Sequence, residues 1–203
     1  MNGHKKIYPI ILLMLIGFGI QAQTNLSGNI STITDLPMAG VDIEIIAGET
    51  TFRTTTDEAG NYTLENVPTL EGVQIRLTKE DNHVNGVSSL DIVLMSRHIL
   101  GLAPFNNPNQ YIAMDTNKSG SITAFDLIQI RRLILGLETV FPNNEAWRFI
   151  EKGRLANLIF NQAGNPEYAG NINDLFSLEN GGNNTILNFI AIKVGDANGN
   201  AKP

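Results

Sequence analysis

Oxygen-bearing side chains recur at alternate positions in the segment DTNKSGSITAFD, residues 115–126. Positions 1, 3, 5 and 12 are Asp115, Asn117, Ser119 and Asp126. A hard cation such as Ca²⁺ takes roughly six to eight oxygen ligands, and a tightly turning loop with this spacing brings them to one point. Gly120 permits the sharp turn, Ser121 offers its backbone carbonyl, and Thr123 occupies the position where a water usually mediates. The spacing predicts a calcium loop; the alternative is an Asn/Gly-rich turn in which Asp126 caps a helix.

The calcium-loop segment belongs to an internal repeat with a constant offset of 35 residues. Six of twelve positions are identical between DIVLMSRHILGL, which begins at Asp91, and DLIQIRRLILGL, which begins at Asp126. Apolar residues at helical spacing are Ile92, Met95, Ile99 and Leu102 in the first copy and Leu127, Ile130, Ile134 and Leu137 in the second. This spacing makes one face of each helix, and we expect the first three residues of each set to face inward. Each copy is therefore predicted to be a loop that leads into a helix ended by Gly101 or Gly136.

The loop of the first copy, DNHVNGVSSLD, is one residue shorter than that of the second. If Asp81 is position 1, Asn85 is position 5, but Asp91 falls at position 11 instead of 12. If the constant offset of 35 residues is kept instead, positions 1, 3 and 12 are Glu80, Asn82 and Asp91. We expect Asp81, Asn85 and Asp91 to hold a second Ca²⁺, with an empty loop as the alternative.

A third string of oxygen-bearing residues, GDANGN, spans residues 195–200. It has the D-x-N-x-N spacing but no closing carboxylate, which is more typical of a plain terminal turn. Its oxygens could also complete a neighbouring site.

Catalytic motifs are missing from the sequence. HExxH, GxSxG and a glycine-rich phosphate loop are absent. His83 and His98 are the histidines beyond the N-terminal segment, and each is more typical of a packed or solvated side chain than of a ligand. We predict that the protein is not an enzyme.

A duplicated calcium loop with an exiting helix resembles the dockerin type I family, over Asp81 to Leu137. The resemblance implies Ca²⁺ as the cofactor and a protein partner, with a cohesin-like domain as the candidate, in attachment to extracellular scaffolds for polysaccharide breakdown. Arg131 and Arg132 resemble the basic pair of that family, and with Arg97 they form the predicted partner-binding set. The chain departs from the family before the last ligand, where small hydroxyl residues are usual: it has Ser89-Leu90 and Ala124-Phe125.

Upstream of the repeat, residues 24–79 alternate with period two, as Val41, Ile43 and Ile45 show. Turn residues separate the short strands. Thr56-Asp57 to Gly60, Tyr62 and Asn66-Val67-Pro68 resemble the carboxypeptidase regulatory-like (transthyretin-like) module, which implies a non-catalytic antiparallel β-sandwich. The stretch is short for seven strands. A late strand at residues 189–194 is expected either to return to this module or to pack on the repeat helices.

The first 22 residues have the pattern of a secretory signal peptide. Lys5 and Lys6 precede an apolar run from Ile10 to Ile20, which ends near Ala22 and is too short to span a bilayer. We therefore expect a secreted or cell-surface protein with no retained membrane span. The 14 Lys and Arg against 20 Asp and Glu argue against nucleic acid as a partner, and the absence of Cys excludes disulfides and thiolate chemistry.

Together these patterns predict an α+β protein of several modules. The order is a signal peptide (1–22), a β-sandwich (24–79), a dockerin-like repeat pair (80–138) and an Asn/Gly-rich C-terminal region (139–203). The predicted function is non-catalytic, calcium-dependent protein assembly. The alternative is a calcium-stiffened spacer or surface-protein fragment that binds no partner in trans.

Overall fold

The fold is described from a computed structural model, which defines residues 24–67, 72–156, 175–178 and 184–203. The predicted signal peptide lies outside these described residues. The strands within them are β1 (Thr24–Thr32), β2 (Asp42–Ala47), β3 (Thr50–Thr55), β4 (Asn61–Val67), β5 (Val73–Thr78), β6 (Trp147–Glu151), β7 (Leu175–Leu178), β8 (Asn184–Ile186) and β9 (Phe189–Lys193). The helices are α1 (Ser89–Ile99), α2 (Pro108–Met114), α3 (Ala124–Ile134) and α4 (Lys152–Ala156). This mixture of sheets and helices confirms the predicted α+β class.

Two β-sheets face each other across a common apolar core. The first sheet has the order β4-β1-β9-β6, with β8 also paired to β1, and the second has the order β3-β2-β5-β7. Period-two alternation turns Ile43 and Ile45 of β2 and Ile75 of β5 toward Leu26 and Phe189 of the first sheet. Segments on both sides of the repeat therefore build one β core.

The late strand joins the first sheet. β9 runs parallel to β1 on one side and antiparallel to β6 on the other. Phe189 and Ala191 point into the β core, whereas Ile190 and Ile192 point to the opposite face, against the helices. Because β9 is covered on both faces, it is a continuous apolar run instead of an alternating strand.

The helices form a layer on the outer face of the first sheet. Ile112 and Met114 of α2 share a buried cluster with Ile130 of α3 and with Ile192 and Val194 at the end of β9. The fold thus has three layers: the second sheet, the first sheet and the helices.

Both repeat helices begin and end in the same way. Ser88 caps α1 and Thr123 caps α3, each in a capping box with the aspartate three residues later. Each helix ends in a Schellman motif, in which Gly101 or Gly136 adopts a φ of 68°. In the first copy the N–H of Leu102 donates to the carbonyl of Arg97 at 2.9 Å, and the second copy repeats this bond.

The inward helical face is narrower than the spacing predicts. Met95 and Ile130 are fully buried, but Ile99 is 40% exposed, so its predicted inward placement was wrong. Leu102 and Leu137, which follow the glycines, are 71% and 64% exposed. The helices end at Ile99 and Ile134, and the glycine turn directs the following leucines away from the core.

Candidate functional site

The loop of the second repeat brings its predicted ligands together directly after α2. The Asp115 carboxylate accepts the N–H groups of Ser119 at 2.9 Å and of Gly120 at 2.8 Å. The Asn117 side-chain oxygen also accepts the Ser119 N–H at 2.9 Å. The Ser119 hydroxyl donates to the carbonyl of Ser121 at 3.1 Å. The oxygens at positions 1, 3, 5 and 7 thus converge on one side of the loop.

Asp126 closes the loop from the first turn of α3. Its Oδ2 accepts the N–H and the hydroxyl of Thr123 at 2.9 and 3.0 Å, which completes the capping box. Its Oδ1 accepts the Asn117 N–H at 3.2 Å and the Thr116 hydroxyl at 3.3 Å. One oxygen therefore fixes the start of the helix while the other faces the loop. Thr123 serves mainly as the helix cap.

The two acidic side chains of this loop are withdrawn from water. Asp115 is 1% exposed and Asp126 is fully buried. Burial raises the pKa of the Asp115 carboxyl, and the charge of Asp126 raises it as well, against backbone hydrogen bonds and the charge of Arg148. Two neighbouring buried carboxylates repel each other, and a cation between them would offset that cost.

The donor set of this loop fits a hard divalent cation. Asp115, Asn117, Ser119 and Asp126 offer side-chain oxygens, and the Ser121 carbonyl adds a fifth, the composition that Ca²⁺ prefers. No group of three or more His, Cys, Asp or Glu side chains suited to a metal occurs among the residues that the structure defines. Coordination here would therefore depend on amide, hydroxyl and carbonyl oxygens beside two carboxylates.

Asn144, which sequence patterns did not reveal, holds the start of the loop from outside the repeat. Its side-chain N–H groups donate to the carbonyls of Asp115 and Thr116, both at 3.3 Å. Its Oδ1 is buried and has no hydrogen-bond partner within the described part of the chain. A lone Asn in a polar stretch carries no pattern that would single it out. The helix α2 before the loop was also not predicted.

The predicted ligands of the first copy have different neighbours. Asp81 accepts the indole N–H of Trp147 at 2.7 Å and the amide of Asn85 at 3.0 Å, and it lies 3.8 Å from the Lys193 ammonium. Burial alone would raise the pKa of Asp81, but the hydrogen bonds from Asn85 and Trp147 outweigh it and the pKa is lowered. Asp91, at the start of α1, instead accepts the N–H of Ala197 at 2.9 Å.

The two histidines have packing roles. Nδ1 of His83 accepts the N–H of Phe141 at 3.2 Å, and Nδ1 of His98 accepts that of Phe105 at 3.0 Å. Burial lowers the pKa of both imidazoles.

The outer helical face consists of four apolar positions that are exposed in both repeats. They are Leu90, Val93, Leu100 and Leu102 in the first copy and Phe125, Ile128, Leu135 and Leu137 in the second. The three predicted partner-binding arginines are also exposed. Arg132 forms an ion pair with Glu138 at 2.7 Å, and Arg97 is its equivalent in the first copy. Arg131 lies beside Arg132 in the last turn of α3.

Comparison with known families identifies the repeat. Residues 81–135 match the Dockerin type I domain. Dockerin type I domains are protein assembly modules that pair with cohesin domains and typically bind Ca²⁺. The dockerin match agrees with the predicted repeat and implies a protein partner for this part of the chain.

Comparisons with whole proteins add little. No curated protein matches the chain. Among solved structures, a 9R-lipoxygenase from Cyanothece PCC8801 matches at 16% identity over 44% of this chain, with a TM-score of 0.23. This chain spans 14% of the lipoxygenase.

Several predictions stay predictions after these comparisons, including the module boundaries and the assigned metal-ligand and partner-binding residues. Three more concern the rest of the chain and its activity. They are the carboxypeptidase regulatory-like module, the signal peptide and the absence of enzymatic activity. Within the described ranges, no helix has the length and hydrophobicity needed to cross a membrane.

Proposed function

We propose that residues 81–137 form a calcium-dependent docking module that attaches this protein, outside the cell, to a cohesin-like domain. The observation that carries the proposal is the outer helical face. Equivalent residues of the two copies are exposed to similar extents, for example Leu100 at 70% and Leu135 at 61%. Repeated exposure of large apolar side chains is typical of a surface that contacts a partner.

Arginines at the edge of the outer helical face add charge to its apolar surface. Arg97, Arg131 and Arg132 lie near the ends of α1 and α3, and arginine is enriched among residues that dominate binding energy. The ion pair between Arg132 and Glu138 is exposed, so it costs little to exchange for an acidic group of a partner. The partner is therefore expected to combine an apolar surface with acidic side chains.

Calcium is expected to control this surface through Asp126 and Asp91. Each aspartate joins its loop to the first turn of α3 or α1. A cation that organises the loop also fixes the helix that carries the partner-binding residues. Docking for extracellular polysaccharide breakdown is the setting that the dockerin match favours.

One observation favours the alternative of a structural unit without a partner in trans. Part of the helical layer is already covered by the protein itself, because α2 packs against β9 through Ile112 and Ile192. Such packing would let calcium stiffen the chain with no further contact. The outer helical face, however, lies away from this packing and stays exposed, which favours docking.

Binding to purified type I cohesin domains tests the proposal. Isothermal titration of residues 24–203 should show binding with calcium and none with chelator. Because either helix could dock, the double change Val93→Asp with Ile128→Asp is the informative variant, and it should weaken binding more than tenfold. Ile186→Asp, at a position 70% exposed on β8, is the matched control and should bind like the wild type.

The outcomes separate the two functions. Cohesin binding that survives the double change, or that ignores chelator, contradicts the proposed docking. No cohesin binding, together with a calcium-dependent rise in thermal stability, supports the structural unit.

A further inference from the structure

The closing carboxylate of the first repeat meets a loop from the far end of the chain. Asp91 is fully buried, and its Oδ2 accepts the N–H and hydroxyl of Ser88 in the capping box. Its Oδ1 accepts the N–H of Ala197 at 2.9 Å and the side-chain amide of Asn198 at 3.3 Å. Asp91 and Ala197 are 106 residues apart in sequence.

The contacts of Asp91 parallel those of Asp126 in the second copy. In both, Oδ2 caps the helix while Oδ1 accepts hydrogen bonds from the second and third residues of a D-x-N segment. That segment is Asp115 to Asn117 in the second copy, whereas for Asp91 it is Asp196 to Asn198. The C-terminal loop thus contacts Asp91 as the predicted calcium loop of the second copy contacts Asp126.

Asp196 also resembles Asp115 in burial and hydrogen bonding. It is 2% exposed. Its Oδ2 accepts the N–H of Ala201, five residues on, at 2.8 Å, as the Asp115 Oδ2 accepts that of Gly120 at 2.8 Å. Both aspartates therefore bend the following loop around their own carboxylates.

The shortened loop of the first copy holds the C-terminal segment in place. Asn85 exchanges two hydrogen bonds with the backbone of Lys202: its amide donates to the carbonyl at 2.7 Å, and its oxygen accepts the N–H at 3.3 Å. Gly86 allows this approach, since a Cβ there would lie 2.6 Å from the Ala201 Cα. Asp81 is meanwhile engaged with Trp147 and Lys193. The shortened loop therefore fixes the residues that follow Asp196 through its contacts with Ala201 and Lys202.

We propose that Asp91, Asp196, Asn198 and Asn200 form a second calcium site, split between α1 and the C-terminal loop. The site rests on the calcium-binding part of the proposed function and is independent of the partner. It supplies two carboxylates and two amide oxygens, the same types of donor as the second copy apart from its serine. The ligands at positions 1, 3 and 5 come from residues 196–200, and position 12 comes from the dockerin repeat.

A polar cleft gives a cation access to this site. The cleft has a volume of about 370 Å³ and is lined by Asp196 and Asn198 on one side and by Asn107, Asn109 and Gln110 on the other. Asn109 Oδ1 is buried and has no hydrogen-bond partner among the residues that the structure describes. Asp196 and Asn198 are the two proposed ligand residues that line this cleft.

Calcium stoichiometry tests the split site with readouts that need no partner. Isothermal titration of residues 24–203 should give two calcium ions for wild type and one for Asp196→Asn. Asp126→Asn should also leave one ion, bound at the split site. Asp81→Asn is the matched control: it removes an acid of the shortened loop but keeps one oxygen that can accept the hydrogen bonds of Asn85 and Trp147, and it should still bind two ions.

A second variant guards against a folding defect in Asp196→Asn. Asn198 is exposed, so Asn198→Ala should leave the circular dichroism unchanged while lowering affinity at one of the two sites at least tenfold. Two ions bound by Asp196→Asn with unchanged affinity, or one lost in Asp81→Asn, would overturn the split site. A wild type that binds a single ion, lost in Asp126→Asn, overturns the split site alone. A wild type that binds no calcium overturns the calcium part of the proposed function as well.

Discussion

The closing aspartates show how one side chain can serve both local structure and a binding site. Asp91 and Asp126 each use one oxygen to cap a helix and turn the other toward a loop. A cation held by the second oxygen would therefore act directly on the first turn of the helix. The sequence pointed to both residues through the loop spacing and the repeat, and each is also the N3 residue of a capping box.

A second buried group with unusual chemistry is Lys193, which joins the first repeat to the β core. Its side chain is 2% exposed and lies 3.8 Å from the Asp81 carboxylate. Its ammonium donates to the carbonyl of Asn82 at 2.8 Å and lies 5.5 Å from the centre of the Trp147 ring. Burial lowers its pKa to about 8, although Asp81 and Asp196 favour the charged form.

The lowered pKa of Lys193 predicts that stability rises with pH. Between about pH 8 and pH 10.5, the unfolded chain binds a proton at this lysine and the folded chain does not, so unfolding is penalised. At 1.36 kcal/mol per pKa unit, the full gain is about 3 kcal/mol. Urea unfolding at pH 8 and pH 10 should show most of this rise in wild type and lose it in Lys193→Met.

Other titrating groups do not imitate this effect. Burial raises the pKa of Tyr62 and Tyr111, so their ionisation destabilises the folded state as the pH rises above about 10. This opposes the lysine and is the same in wild type and Lys193→Met. Equal pH dependence in the two proteins would contradict the prediction.

Among the helices and strands, hydrophobic periodicity predicted burial correctly where one face of an element packs on the core along its whole length. The alternation over residues 41–45, at the start of β2, correctly predicted that Val41, Ile43 and Ile45 face inward. The glycine turns after α1 and α3 were also predicted correctly. The inward placement of Ile99 was wrong, since Ile99 is the last residue of α1 and the chain changes direction directly after it. The helix α2 went unpredicted because its buried face is recognisable only against β9.

Calcium and the repeat helices are expected to stabilise each other. α1 and α3 have 11 residues each, which is too short for a helix to persist alone in water. Calcium at 100 times its dissociation constant adds about 2.7 kcal/mol per site to the folded state. Chelator should therefore lower the thermal midpoint and the helical circular dichroism before the β signal changes.

A variant with a damaged loop is the control for this melt. In Asp126→Asn, the thermal midpoints with calcium and with chelator should lie closer together than in wild type. They should not become equal, because calcium bound at the first repeat still contributes. A midpoint that is the same with calcium and with chelator would remove the ion from the stability of the helical layer.

At the scale of the whole molecule, the repeat is not structurally separate from the rest of the chain. The region after residue 138 supplies β6 and β9 to the sheet, Asn144 to the second loop and Ala197 to the first repeat. The sequence predicted the late strand and offered its return to the β-module as one of two alternatives. The contacts of Asn144 with Asp115 and of Ala197 with Asp91 join residues 29 and 106 positions apart, and such pairs leave no periodic pattern. The sequence allowed GDANGN to complete a neighbouring site, and the fold shows that its neighbour is Asp91.

Excision of the repeat should therefore impair its folding. A fragment of residues 80–138 loses Ile192 and Val194, which cover Ile112 and Met114 of α2. Exposing large apolar side chains costs about 1.5–3 kcal/mol each, a large share of a total stability of about 5–15 kcal/mol. With saturating calcium, the fragment should show less helical circular dichroism per helical residue than residues 24–203, and calcium affinity at least tenfold weaker.

A longer fragment separates the two contributions of the C-terminal region. Residues 80–203 regain β9 and the 195–200 loop but lack β1, the strand beside which β9 lies. If the apolar cover of α2 is what the short fragment misses, the longer fragment should recover much of the helical signal. If the repeat folded fully as residues 80–138, the helical layer would be an independent module and the contacts with β9 would be dispensable. Because Ile192 is buried in the cluster that contains α2, we expect residues 80–138 to fold incompletely without β9.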